Sequence, residues 1–254
     1  MKSQRTHSGS GDPPNPAPFA YADYVEAKSA LESSLRGPRF YALLCGASGM
    51  GKTCLLRDIC ARLDRHRHQV VYVSCAQASV LSIVRHLARV LHVTPRRSYL
   101  ETTHVLAEAI QAYTAHLLLW MDEADQVEPA VLQQVRMLAE SQLSCEQLMS
   151  VVFSGLPAIG SQLDAPRLFP LKRRIAHRLS LAGLRRDELE RFVQHRFGTS
   201  EAARVPCSIY DELFERTQAT PALIDKVLRH ALNSSEQPQL DSEAVRVALD
   251  LAGL

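Results

Sequence analysis

Short apolar runs alternate with stretches of helical spacing through the first part of this chain. Phe40-Tyr41-Ala42-Leu43-Leu44-Cys45 is apolar throughout and reads as a buried strand. Gln69 to Ser74, His116 to Met121 and Leu148 to Ser154 read the same way, and Arg178 to Leu181 as a short fifth strand. Helical spacing fills the intervals: Ala22 to Leu35, the residues from Cys54 to Cys60, Val80 to Leu91, Tyr99 to Tyr113, and Ala130 to Glu140. Repeated βα units imply a parallel sheet with helices on both faces. From Arg185 onward the pattern is helical only. Leu189, Phe192, Val193 and Phe197 share one face, Leu223, Val227, Leu228 and Leu232 another, and Val245, Ala248 and Leu249 a third. These stripes predict a small helical bundle after the sheet. The expected organisation is a Ser-, Gly- and Pro-rich disordered tail over 1–18, an α/β domain over 19–182, and a helical domain over 183–254.

Two motifs give this scaffold a chemistry. Gly46-Ala47-Ser48-Gly49-Met50-Gly51-Lys52-Thr53 fills every defined position of G-x-x-x-x-G-K-[ST], the phosphate-binding loop, and Cys54 follows in the new helix. It stands between a strand and a helix, where backbone N–H groups and the helix dipole can converge on an anion. Lys52 is expected to reach the β- and γ-phosphates of ATP, and the Thr53 hydroxyl to ligate Mg²⁺. The second motif is Asp122-Glu123, closing the apolar run of the third strand. In open α/β sheets ligands bind at the C-terminal ends of the strands. Asp122 is therefore expected beside the metal ion and Glu123 as general base for an attacking water. An acidic turn after a strand would explain the pair alone; the complete phosphate loop upstream favours nucleotide hydrolysis.

Composition narrows the setting. The chain has 254 residues, 46% of them hydrophobic, with a formal net charge of only +2, so no global charge points at nucleic acid. Its six cysteines form no C-x-x-C pair and read as buried free thiols of a reducing compartment, which implies a cytoplasmic protein. No apolar run approaches the roughly 20 residues that span a bilayer, and the polar N-terminus lacks a signal-peptide core.

The phosphate loop, the strand ending in Asp-Glu, the polar end of the next strand and the helical tail together resemble the AAA+ ATPases, a P-loop core with a five-stranded parallel sheet and a small α-helical lid. Asp122-Glu123-Ala124-Asp125, Phe153-Ser154-Gly155-Leu156-Pro157, Arg174-Ile175 and Leu181-Ala182-Gly183-Leu184 resemble more closely the ExeA-like and TniB-like, ORC-related branch. Pro18-Phe19 is loosely similar to that branch's opening segment. The resemblance implies that Ser154 is the sensor near the attacking water, with Gly155 close to the same register. It also implies that an arginine at or just before the fifth strand, with Arg174 the first choice over Arg173 and Arg178, acts as a finger on a neighbouring subunit's nucleotide. A solvated basic turn explains Lys172-Arg173-Arg174 equally well. The chain departs from the pattern at Ala219-Thr220-Pro221-Ala222, where the family's lid carries Gly-x-Pro-Arg; Lys226, one turn on, is the available cation.

Three functions stay open. The first is a homo-oligomeric switch on duplex DNA like the transposition regulators TniB, TnsC and MuB, assembled by ATP and answering to a transposase. Arg96-Arg97 is the loop that could face DNA; Arg65-His66-Arg67-His68 reads as a polar turn. The second is an accessory ATPase of protein secretion, as the ExeA resemblance implies. Those longer relatives continue into a transmembrane segment and a wall-binding region, and a chain ending at Leu254 favours the DNA-linked expectation. The third is a nucleotide-switched scaffold, favoured by the missing lid arginine and opposed by Glu123.

Overall fold

The computed structural model describes residues 17–76, 78–140, 147–235 and 237–254. Most of the expected tail, and Cys145, lie outside the described residues. Five strands form one parallel sheet: β1 (Tyr41–Gly46), β2 (His68–Ser74), β3 (His116–Asp122), β4 (Ser150–Gly155) and β5 (Ile175–Leu181). Their order is β2-β3-β4-β1-β5. The chain is thus an α/β protein of P-loop type, as its pattern predicts.

Alternation along each strand divides the core in two. Ala42, Leu44, Leu118, Trp120 and Val152 face α1 (Ala22–Ser34) and α2 (Lys52–Arg62). Leu43, Leu117, Leu119, Met121, Val151 and Phe153 face α3 (Val80–Val90), α4 (Tyr99–Ala112) and α5 (Pro129–Ala139). The central strands β1, β3 and β4 are buried on both faces, which is why they read as unbroken apolar runs. The edge strand β5 alternates half-buried and exposed positions. That half-covered pattern explains why it starts three residues before the expected Arg178. Arg178 lies within β5, as expected.

Two short helices, α6 (Ala158–Gln162) and α7 (Phe169–Lys172), lead into β5. Five more follow it: α8 (Leu189–Phe197), α9 (Thr199–Ala202), α10 (Cys207–Arg216), α11 (Pro221–Ser234) and α12 (Ser242–Ala252). On α11 Ile224, Val227 and Leu228 are fully buried, while Leu223 is half-buried. These helices share one continuous core with α1 and the adjacent sheet face. Long-range hydrogen bonds lock the junction: Ala22 N–H donates to Glu188 Oε1 (2.8 Å), and Ala182 N–H to Asp23 Oδ2 (2.9 Å). No described helix is long and apolar enough to cross a membrane. The cysteine expectation needs correction: Cys75 is buried, but Cys54 and Cys207 are exposed because each sits in the first turn of a helix, α2 and α10.

At the N-terminal end of the sheet, His116 stacks on His68 with ring centroids 5.6 Å apart, and its Nε2 lies 2.6 Å from Ser150 Oγ. Burial, then the neighbouring His68 and Arg39, hold its pKa down from 6.5 to about 4. The unfolded chain takes up this proton near pH 6.5 and the folded protein only near pH 4, so stability is full above about pH 6.5 and is lost as pH falls toward 4. Thermal melting followed across that window should show a falling midpoint, and His116→Gln should flatten the dependence.

Candidate active site

The phosphate loop joins β1 to α2 and bounds a cleft of 390 Å³ at the C-terminal end of the sheet. Ser48, Gly49, Gly51, Lys52, Thr53 and Cys54 line one side, and Asp122, Glu123, Asp125 and Gln126 the other. Gly49 has φ of +82°, and an added Cβ would lie 2.8 Å from Ala222 Cβ. Only glycine allows both that backbone and that approach of α11. Gly46 and Ala47 offer their carbonyls to Lys52 Nζ, at 2.7 and 2.9 Å. Burial lowers the Lys52 pKa, opposed by the carboxylates of Asp122 and Asp125, so the ammonium stands partly desolvated beside two acids. Met50 is buried and its carbonyl accepts from Tyr21 OH at 2.7 Å.

Asp122 is 4% exposed and accepts four hydrogen bonds. Thr53 Oγ1 (2.8 Å) and Tyr72 OH (3.2 Å) donate to Oδ2. Ser154 Oγ (2.7 Å) and the Glu123 N–H (3.1 Å) donate to Oδ1. Glu123 itself has φ of +57°, an uncommon left-handed backbone for a non-glycine residue, which turns its carboxylate out of the sheet into the cleft. Ser74, at the end of β2, donates to Glu123 Oε2 at 3.1 Å.

The other sequence candidates divide between the cleft and the rest of the fold. Ser154 is fully buried beneath Asp122: Trp120 Nε1 donates to it at 2.8 Å while it donates to the carboxylate. Gly155 lines the cleft in its place, and an added Cβ there would overlap the Asp125 carboxylate, which accepts from the Leu156 N–H at 2.8 Å. Arg174 stands at the opposite end of the sheet, just before β5. Its Nε pairs with Glu140 Oε1 at 2.9 Å, and Arg136 holds the other Glu140 oxygen at 2.8 Å. Arg173 is exposed. On α11, Ala222 borders the cleft and Lys226 is exposed outside it.

Sequence reasoning passed over three contributors. Tyr72 and Ser74 reach the acidic pair because β2 runs in parallel register with β3, Ser74 opposite Asp122. A second cavity of 490 Å³ adjoins the loop, lined among others by Phe19, Tyr21, Met50, Cys54, Phe192 and Pro221. Phe19 packs edge-on against Phe192 at 5.5 Å, so residues before α1 wall this cavity together with α8.

A family model described as "AAA domain" matches residues 37–163, from the approach to β1 through the Asp-Glu strand to the end of α6. The chain belongs to the AAA domain family. General secretion pathway protein A of Aeromonas hydrophila is 25% identical over 191 residues, which cover 72% of this chain and 34% of the relative. The chain thus spans about a third of that protein's length. Among solved structures, Cdc6p from Pyrobaculum aerophilum superposes with a TM-score of 0.71 at 18% identity, covering 93% of this chain and 69% of the other. ORC1 of Aeropyrum pernix, solved in complex with DNA, gives 0.63 at 18% identity, covering 90% and 64%. At these identities the two structures share the fold with this AAA domain.

The Lys52 ammonium, held by the Gly46 and Ala47 carbonyls at the edge of the cleft, is expected to bind phosphate. Lys52→Ala should weaken nucleotide binding by at least about 100-fold, the scale expected when charge-assisted hydrogen bonds to phosphate are removed. Calorimetric titration with ATP checks this, and unchanged affinity would refute the placement of the phosphates.

Proposed function

We propose that the protein binds ATP with Mg²⁺, hydrolyses the γ-phosphate, and uses nucleotide state to control self-assembly on duplex DNA. One observation carries the reading: phosphate loop, Thr53–Asp122 pair and Glu123 meet in a single cleft. The Thr53 hydroxyl and Asp122 carboxylate are hard oxygen donors only 2.8 Å apart, which suits Mg²⁺. They would hold the ion, which when bound neutralises charge on the β- and γ-phosphates. Loop N–H groups and Lys52 grip the phosphates. Glu123 orients a water and takes its proton. Ser74 competes for that carboxylate, so hydrolysis requires Glu123 to leave the serine. Ser154 acts from below by fixing Asp122 through its hydroxyl. The base and ribose take the cavity between Phe19, Tyr21 and Phe192, with α8–α12 serving as lid over residues 183–254.

The shared fold with a DNA-complexed ORC1 and the resemblance to transposition regulators support a DNA-associated switch, with a transposase as the class of partner that triggers release. A cytoplasmic location follows from that reading. The similarity to General secretion pathway protein A supports a second one, an accessory ATPase of secretion. Turnover stimulated by duplex DNA favours the first; indifference to DNA favours the second.

Glu123→Gln keeps the shape of the base while removing its proton affinity. It should retain ATP binding and lower phosphate release by about 100-fold or more. A wild type without turnover, with and without DNA, would leave a nucleotide-switched scaffold in place of an enzyme.

The finger belongs to the turn between α7 and β5, and Arg174→Ala tests two roles at once. Loss of its pair with the nearly buried Glu140 should lower stability by about 1 kcal/mol, since Arg136 remains and Arg174 is partly exposed. Arg173→Ala breaks no described ion pair. If assembly measured by light scattering with a non-cleavable ATP analogue fails in Arg173→Ala but not in Arg174→Ala, the finger is Arg173. The reverse outcome, with the Arg174→Ala monomer still folded and binding nucleotide, assigns Arg174.

A further inference from the structure

Residues 65–100 contain six arginines and no Asp or Glu; because the whole chain has a formal charge of +2, the rest carries −4. The segment runs from the turn before β2, through β2 and α3, to the first residues of α4. Four of its arginines are carried by α3 and the loop that follows it. Arg85 and Arg89 are one turn apart on the outer face of α3, and Arg96 and Arg97 follow in the loop to α4. All four are exposed, and none makes an ion pair with a described residue. By contrast Arg136, Arg196 and Arg204 are each tied to an acid.

The loop that carries Arg96-Arg97 is fixed in place. The buried Thr102 hydroxyl lies 2.9 Å from the Arg96 N–H, which donates to it, and is within reach of the Arg96 and Ser98 carbonyls at 3.2 and 2.9 Å. The Val93 N–H closes on the Ala88 carbonyl at 2.8 Å, holding the loop to the end of α3. Cations presented on a backbone already ordered lose little entropy on binding.

We infer that this face, Arg85, Arg89, Arg96 and Arg97, is the surface that tracks the phosphate backbone of duplex DNA. The inference rests on the DNA-associated reading above and names its surface. Four guanidinium groups with no acid among them match a polyanion by charge, and each can fork onto phosphate oxygens. A lipid surface fits less well. A helix lying on a membrane must insert its apolar side, and Ile83, Val84, Leu87 and Ala88 of α3 are already in the core. The segment's exposed large apolar residues are spread over three elements, Tyr72 on β2, Leu81 on α3, and Tyr99 and Leu100 at the start of α4. Nothing in the face reads bases, so binding is set by backbone charge and therefore by salt.

Anisotropy of a labelled duplex, titrated with the full chain and a non-cleavable ATP analogue over a salt series, tests this. The slope of log affinity against log salt is expected to flatten by about 1 for each arginine removed. Arg85→Gln with Arg89→Gln, and Arg96→Gln with Arg97→Gln, should each flatten it by about 2. Both double variants should bind nucleotide as the wild type does, which certifies their fold. Replacing the same arginines by lysine should restore most of the slope. Arg229→Gln with Arg246→Gln, a pair on α11 and α12, should leave it unchanged. If the wild type binds DNA and the four arginines do not alter the slope, this surface is wrong while the DNA reading stands. If the wild type binds no duplex under any nucleotide, the DNA reading fails and the surface with it. Arginine-dependent capture on phosphatidylserine vesicles without DNA binding would also overturn the proposal.

Discussion

The buried carboxylate of Asp122 is the point on which the cleft depends. A charge 4% exposed costs several kcal/mol in lost hydration unless it is matched. It is matched by four donors from four places: Thr53 on α2, Tyr72 on β2, Ser154 on β4 and the backbone of Glu123. Each charge-assisted bond returns about 1.5–3 kcal/mol. The same set of bonds fixes the start of α2, the register of three strands and the left-handed turn at Glu123. Removing the carboxylate would strip a partner from each of these elements together.

How much of this could be read from the sequence follows the depth of burial. The phosphate loop and β1, β3 and β4 are legible because central strands are apolar on both faces and the motif has fixed spacing. The edge strand β5 is half legible, since its outer positions read as polar. Tyr72 and Ser74 are silent in the sequence. Their role appears only when β2 is laid beside β3 and Ser74 falls opposite Asp122. Phe19 and Phe192 are silent for the same reason, being far apart in the chain and in contact in the fold. Ser154 illustrates a subtler limit: its position at the end of β4 is legible, but the direction of its hydroxyl, toward Asp122 and away from the cleft, is not.

Charge shows what averages conceal. A net +2 suggests no polyanionic partner, yet the acid-free stretch through α3 separates the chain into regions of opposite sign. At the other end of the sheet the opposite arrangement holds. Glu140 gathers Arg136, Arg174 and the Tyr41 hydroxyl, so a basic run that reads as solvated is partly a structural clamp.

The bonds that join the start of α1 to the segment after β5 set an order of events during synthesis. Asp23 waits for Ala182, Ala22 for Glu188, and the Ala17 carbonyl for His195, whose Nε2 lies 2.6 Å away. These contacts span more than 150 residues. A chain emerging from the ribosome at about 5–20 residues per second presents α1 with no C-terminal helix to cover it for roughly ten to thirty seconds. Among the described helices α1 is thus made early while its N-terminal end is secured late, and Tyr24, Ala27 and Leu31 on its inner face wait for β5. Whatever shields that surface in the nascent chain, whether α2 and the sheet or a chaperone, governs how much protein reaches the assembled state.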